Sequence, residues 1–133
     1  MSRLILADTG PLYALADPSD QYHTRAHSEL NRIEEGDSAV AVTYATLCEA
    51  HTLVLRRLGG AYSRQWLGEM LEGSVLMNPD PSDYALAVEQ LNRFHDHPIT
   101  LVDAVTAAIS RRLQAAVWTY DAHFGTMRSK LWR

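Results

Sequence analysis

Residues 3–15 read RLILADTGPLYAL, and the fold turns on how this stretch divides. Arg3–Ala7 is a short apolar run that reads as a buried strand. Thr9-Gly10-Pro11 follows as turn chemistry, and the apolar residues after it begin a short helix that stops near Asp17-Pro18. Between strand and helix stands Asp8. Burying a carboxylate is costly unless a positive or hydrogen-bonding group compensates it. An acid at the exit of a central strand therefore needs a reason beyond packing.

The same alternation of short apolar runs and helical periodicity continues outward from this stretch. A helix is expected from Ser19 or Asp20 to Gly36, with Tyr22, Ala26, Leu30 and Ile33 at helical spacing. Residues 38–42, SAVAV, form a second strand. A helix then runs from Thr43 to Gly59-Gly60 with Leu47, Ala50, Val54 and Leu58 on one face. Another spans 62–73, residues 74–78 are a third strand candidate, and 79–97 supply a turn and a helix. Residues 99–114 enter another helix in extended form, and 115–121 are the last strand. Strands alternating with helices imply right-handed crossovers and a parallel sheet covered on both faces. The expected class is α/β, a three-layer α/β/α sandwich with a short central parallel sheet, in one domain over residues 1–133.

Composition narrows the function classes. The chain of 133 residues is 47% hydrophobic and 21% charged, as a globular domain with one core requires. No stretch approaches the roughly 18 to 20 apolar residues of a membrane span, and Asp8 interrupts any secretory leader. A single cysteine, Cys48, excludes an internal disulfide framework and fits a reducing, cytoplasmic setting; it reads as a buried thiol. The net charge of −4 argues against a surface that grips nucleic acid everywhere, but leaves room for a local basic strip. Every basic residue except Lys130 is arginine, whose planar fork suits phosphate, and Arg25 and Arg128 are candidates for such contacts.

In open parallel sheets functional groups gather beyond the carboxyl ends of the strands, and acids recur there. Asp8 leaves the first strand and Asp121 the last. Asp103 lies where ITLV turns into a helix, and Glu49 lies within the first two turns of the helix after the second strand. Each also has a plainer explanation: Asp103 as a helix cap, Glu49 as an exposed helical residue, Asp121 as a turn former. Their joint placement at one edge favours a site. Carboxylates at close range repel one another unless a divalent cation neutralises them, and Mg²⁺ or Mn²⁺ accepts such oxygen ligands. A site of that kind activates water against a phosphodiester.

Taken together, ILADTGPLYAL, TYATLCEA, LVDAVTAA and TYDAHF resemble the PIN-domain ribonucleases of the VapC toxin type, and the likeness covers essentially the whole chain. The resemblance implies an acidic quartet of Asp8, Glu49, Asp103 and Asp121 that binds Mg²⁺ or Mn²⁺ and positions the water that cuts RNA. Thr9 and Thr119 would orient substrate, water or a ligand carboxylate. It also implies a homodimer and inhibition by a cognate antitoxin protein. Two positions depart from the pattern. Gly10 stands where many members carry Asn, and Phe124 stands where some offer a further acid; Phe124 is expected to pack beneath the site.

The rival readings are a PIN domain that only scaffolds RNA or protein, and a phosphatase or phosphoacceptor domain with an Asp at a strand end. The second needs a lysine near the pocket. Among other features, His23 and His27 have the spacing of a zinc pair without a third ligand, and His95 and His97 read as loop. Trp66, Leu67, Met70 and Leu71 form an apolar stripe suited to core or to a partner groove. Arg111 and Arg112 are expected to complement a helix C-terminus.

Overall fold

A computed structural model describes residues 3–133, so Met1 and Ser2 of the expected 1–133 domain lie outside the described residues. The elements run β1 (Arg3–Ala7), α1 (Thr9–Ala16), α2 (His23–Glu35), β2 (Ser38–Thr43), α3 (Tyr44–Leu58) and α4 (Gly60–Gly73). They continue with β3 (Val75–Met77), α5 (Pro81–Arg93), α6 (Leu101–Leu113), β4 (Ala116–Trp118) and α7 (His123–Thr126). The four strands form one sheet in the order β3-β2-β1-β4, and every pairing is parallel. From β1 the chain thus builds outward first through β2 and β3, then returns to place β4 on the other side. The gap between the carboxyl ends of β1 and β4 is the topological switch point, where such sheets bind ligands.

Strand periodicity assigns the two faces. Ile5, Ala7, Val42, Ala116 and Trp118 point to one side, where they pack with Leu12 of α1, Ile33 of α2, Val54 of α3 and Trp66 of α4. Leu6, Ala41 and Val117 point to the other, against Ala87 of α5, Val105 and Ile109 of α6, and Phe124. The three-layer expectation therefore holds, with α1–α4 on one face and α5–α7 on the other. Trp66 is buried and Leu67 and Met70 pack on it, so the stripe on α4 is core, except for Leu71, which is exposed.

Several local expectations differ from the structure for identifiable reasons. Helix α2 begins at His23 rather than Ser19. The Asp17 carboxylate accepts from the Ser19 N–H and hydroxyl, and Asp20 accepts from the Tyr22 N–H. Such side-chain turns compete with helical hydrogen bonding and hold 17–22 as turns. Cys48 is exposed, not buried: core positions 47, 50 and 54 share one face of α3, which turns residue 48 outward. Arg112 does more than complement a helix end. Its guanidinium forks onto the buried Asp83 carboxylate at 3.0 and 2.8 Å, tying α6 to α5. The sequence offered no sign of the last addition to the sheet, in which Val117 bonds Lys130 and Trp132 along the outer edge of β4.

Candidate functional site

Four separate elements deliver the four acids to one place. Asp8 follows β1 and is the N-cap residue of α1, yet its side chain makes no capping hydrogen bond. Instead its Oδ2 accepts a 2.8 Å hydrogen bond from the Thr119 hydroxyl, and its backbone N–H donates to the Trp118 carbonyl of β4. Asp8 is thereby fixed across the switch point. Thr119 also accepts from the Asp121 N–H at 2.9 Å, so one hydroxyl positions both strand-exit acids.

Asp103 is the third residue of α6. Thr100 caps the helix by accepting from the Asp103 N–H, and Asp103 Oδ2 accepts from the Thr100 N–H, a reciprocal box that orients the carboxylate at the helix start. The N-cap is therefore Thr100 and not Asp103, which serves the cap from the third helical position with one oxygen. Asp121 forms its expected turn, with Oδ1 accepting from the His123 N–H at 2.8 Å. Glu49 lies in the second turn of α3, which Thr43 caps at the end of β2.

Asp8, Glu49, Asp103 and Asp121 all line one open cleft of ≈ 520 Å³, with Thr9, Gly10 and His123 among its other walls. Carboxylate oxygens of Asp103 and Asp121 and a ring nitrogen of His123 lie within 4.8 Å of one another, a spacing able to hold a cation. His123 Nδ1 is 3.2 Å from Asp121 Oδ1 and 4.0 Å from Asp103 Oδ2. Sequence reasoning passed over His123 and weighed Phe124. The ring of Phe124 is fully buried in the core, as expected, and the residue before it faces the cleft. The available signal was position: in TYDAHF, the turn after Asp121 returns the chain at residue 123.

Burial and mutual repulsion dominate the electrostatics of Asp8, Glu49 and Asp103. Burial pushes the Asp8 carboxyl up to about 6, the Thr119 hydroxyl and Thr9 amide offset part of that rise, and Asp103 and Asp121 add to it. Burial also raises Asp103, with the charge of Asp121 contributing and backbone and side-chain bonds from Thr100 opposing. Glu49 is raised by burial and then by Asp103. The Thr9 side chain lowers Glu49 somewhat, although neither Thr9 Oγ1 nor Glu49 Oε2, both shut off from solvent, has a hydrogen-bond partner of normal geometry. Unpartnered buried oxygens are rare, and two in one acidic cleft fit a bound divalent cation and its water shell.

Other candidates fall elsewhere. His23 Nδ1 contacts the Ala14 carbonyl at 2.7 Å, and among the described residues no third ligand joins His23 and His27. Lys130, which a phosphatase-like reading needs in the pocket, lines a different cavity with Arg111 and Arg128 at the far end of α6.

Comparison with known proteins is consistent with this geometry. A model of the PIN domain family matches residues 5–130. Mycobacterium tuberculosis VapC20, a sarcin–ricin loop cleaving toxin, superposes with a TM-score of 0.81 at 22% identity, covering 94% of this chain and 95% of that one. VapBC2 from Rickettsia felis, in a structure bound to a DNA fragment from their promoter, gives a TM-score of 0.76 at 12% identity over 96% of each chain. FitAcB from Neisseria gonorrhoeae gives 0.70 at 21% identity, covering 97% and 96%. No protein of curated function matches significantly in sequence.

Proposed function

Because the chain belongs to the PIN-domain family, we propose that it is a Mg²⁺- or Mn²⁺-dependent endoribonuclease, the toxin of a toxin–antitoxin pair. The observation that carries this reading is the convergence of Asp8, Glu49, Asp103 and Asp121 on the switch-point cleft, with Glu49 Oε2 left unpartnered. Asp8 and Asp103 are the first choices to hold the cation, and Glu49 and Asp121 complete the set as ligands or water-orienting bases. When bound, a divalent cation supplies an acidified water and offsets charge on the phosphate oxygens.

The chain's own groups do the rest. Thr119 holds Asp8 and Asp121 in register, and the Thr100 box holds Asp103, so the carboxylates are preorganised rather than gathered on binding. Glu49, raised by burial and by Asp103, is suited to accept a proton from the attacking water. Thr9 Oγ1, buried and without a partner beside Glu49, is suited to orient that carboxylate or a water.

The likeness to VapBC2 and FitAcB supports an antitoxin partner, and we assign the chain, as one domain, to a homodimer on its resemblance to the family. No helix among the described residues is long and apolar enough to cross a membrane, and one free cysteine suits the reducing cytoplasm we assign to it. Incubating the purified chain with single-stranded RNA tests the reading. Cleavage is expected with Mn²⁺ and absent in EDTA or in Asp8→Asn. Undiminished cutting in EDTA, or by Asp8→Asn, would overturn it.

A further inference from the structure

A second cleft adjoins the acidic one, with Tyr120, Asp121 and Ala122 lining both. This neighbour, of ≈ 440 Å³, is lined by Tyr22, Arg25, Thr119, Tyr120, Asp121 and Trp132, so it opens at Asp121 itself. Two arginines line it, Arg25 and Arg133; Arg25 is the one stacked on the aromatic rings, its guanidinium 4.6 Å from the Tyr120 ring centre and 5.7 Å from that of Tyr22. The two rings pack on each other at 4.6 Å.

Below them, Glu29 Oε1 accepts from the Tyr120 hydroxyl and from the Trp118 indole N–H. The same oxygen lies 3.5 Å from Arg25 Nε. Arg25 meets that carboxylate through Nε. Its two terminal nitrogens have no hydrogen-bond partner among the described residues, and its side chain is 53% exposed. An arginine stacked on aromatics and held at one nitrogen keeps its outer fork ready, with little rotamer freedom left to lose on binding.

Gly10 borders the same ring: a Cβ there would lie 3.6 Å from Tyr120 Cδ2, an ordinary contact.

We propose that the Arg25–Tyr22–Tyr120 cluster is a subsite for the RNA nucleotide next to the scissile phosphate, with Arg25 taking its backbone phosphate by the free edge of its guanidinium. The inference rests on the ribonuclease reading and adds where the strand leaves the acidic cleft. It also answers a charge problem. A chain of net charge −4 needs a local positive contact to hold an anionic strand near its acidic cleft, and Arg25, with Arg133, lines the neighbouring cleft that Asp121 shares. Arg128, the other arginine considered for RNA, lines the separate cavity at the far end of α6.

The test uses the full chain carrying Asp8→Asn, so that RNA is bound and not cut, and a short fluorescein-labelled single-stranded RNA read by anisotropy across a salt series. Adding Arg25→Ala is expected to weaken binding about tenfold and to flatten the log–log salt slope by about 0.7, the loss of one phosphate contact. Arg25→Lys should keep the slope and recover only part of the affinity. Arg128→Ala should change neither quantity.

The inference fails if Arg25→Ala binds within twofold of its parent at unchanged slope, or if Arg128→Ala weakens binding as much. These results leave the ribonuclease reading intact wherever the unsubstituted chain still cuts RNA with Mn²⁺. Absence of both RNA binding by the Asp8→Asn parent and cutting by the unsubstituted chain overturns the reading itself, and the subsite with it.

Discussion

Replacing Asp8 with Asn should end the chemistry and, in the absence of metal, strengthen the fold. Asp8 is only 5% exposed and its carboxyl is raised from 3.8 to about 6, chiefly by burial. Below pH 3.8 the group is protonated in folded and unfolded chains alike and carries no penalty. Between 3.8 and 6 the unfolded chain ionises first, so stability falls as pH rises. Above 6 the loss is complete, at about 3 kcal/mol for a rise of this size.

Asn keeps an oxygen to accept the Thr119 hydroxyl and has no charge to bury. Allowing for imperfect packing of its amide, a gain of about 1 to 3 kcal/mol is expected, or a Tm rise of about 3 to 9 °C for a chain of this length. The assay is thermal unfolding in EDTA for both proteins, at about pH 7.5 and near pH 4, where the gap should shrink to a fraction of its neutral value. Adding Mn²⁺ should then raise wild type by about 2.7 kcal/mol at a hundredfold excess over Kd, and the variant by less. A less stable Asp8→Asn protein at neutral pH in EDTA, or a gap that does not depend on pH, would refute the reasoning.

Glu49→Gln and Asp103→Asn should each lower the rate of RNA cleavage by about 10²-fold or more with unchanged circular dichroism, since each removes a preorganised group at the reacting phosphate. Arg112→Ala should destabilise the fold at neutral pH by leaving the buried Asp83 carboxylate without its fork. The guanidinium of Arg112 holds Asp83 below its ordinary value, so its contribution is present above the unfolded value and fades as pH falls through the folded one; melting curves against pH would show the deficit closing in acid. Gly10→Ala should fold within about 1 kcal/mol of wild type, because its Cβ meets Tyr120 at ordinary contact distance, and equilibrium denaturation would check it. Cys48 should react stoichiometrically with a thiol reagent in the native state, at a rate close to that of the unfolded chain, since α3 turns it outward.

Much of this molecule is decided by patterns that need no tertiary information. Short continuous apolar runs mark β1 and β2 as strands covered on both faces, and helical spacing marks α3, so the three layers follow from residue order. The acids were legible for a related reason. A carboxylate at the exit of an apolar strand stands at the sheet's carboxyl edge: Asp8 directly follows β1, and Asp121 lies three residues past the end of β4. Element ends were less legible, as at α2, where short-range bonds from Asp17 and Asp20 outweigh an apolar periodicity that extends past the true start.

Tertiary structure alone decided what joins residues distant in sequence. The Thr119 hydroxyl reaches across the sheet to Asp8, His123 swings back beside Asp103 and Asp121, and Arg112 finds Asp83 on another helix. No periodicity encodes such meetings, because each depends on strand order and on where a turn releases the chain. Gly10 shows the division well: the sequence marks it as a missing side chain, and only the fold reveals that the ring of Tyr120, more than a hundred residues away, stands beside it.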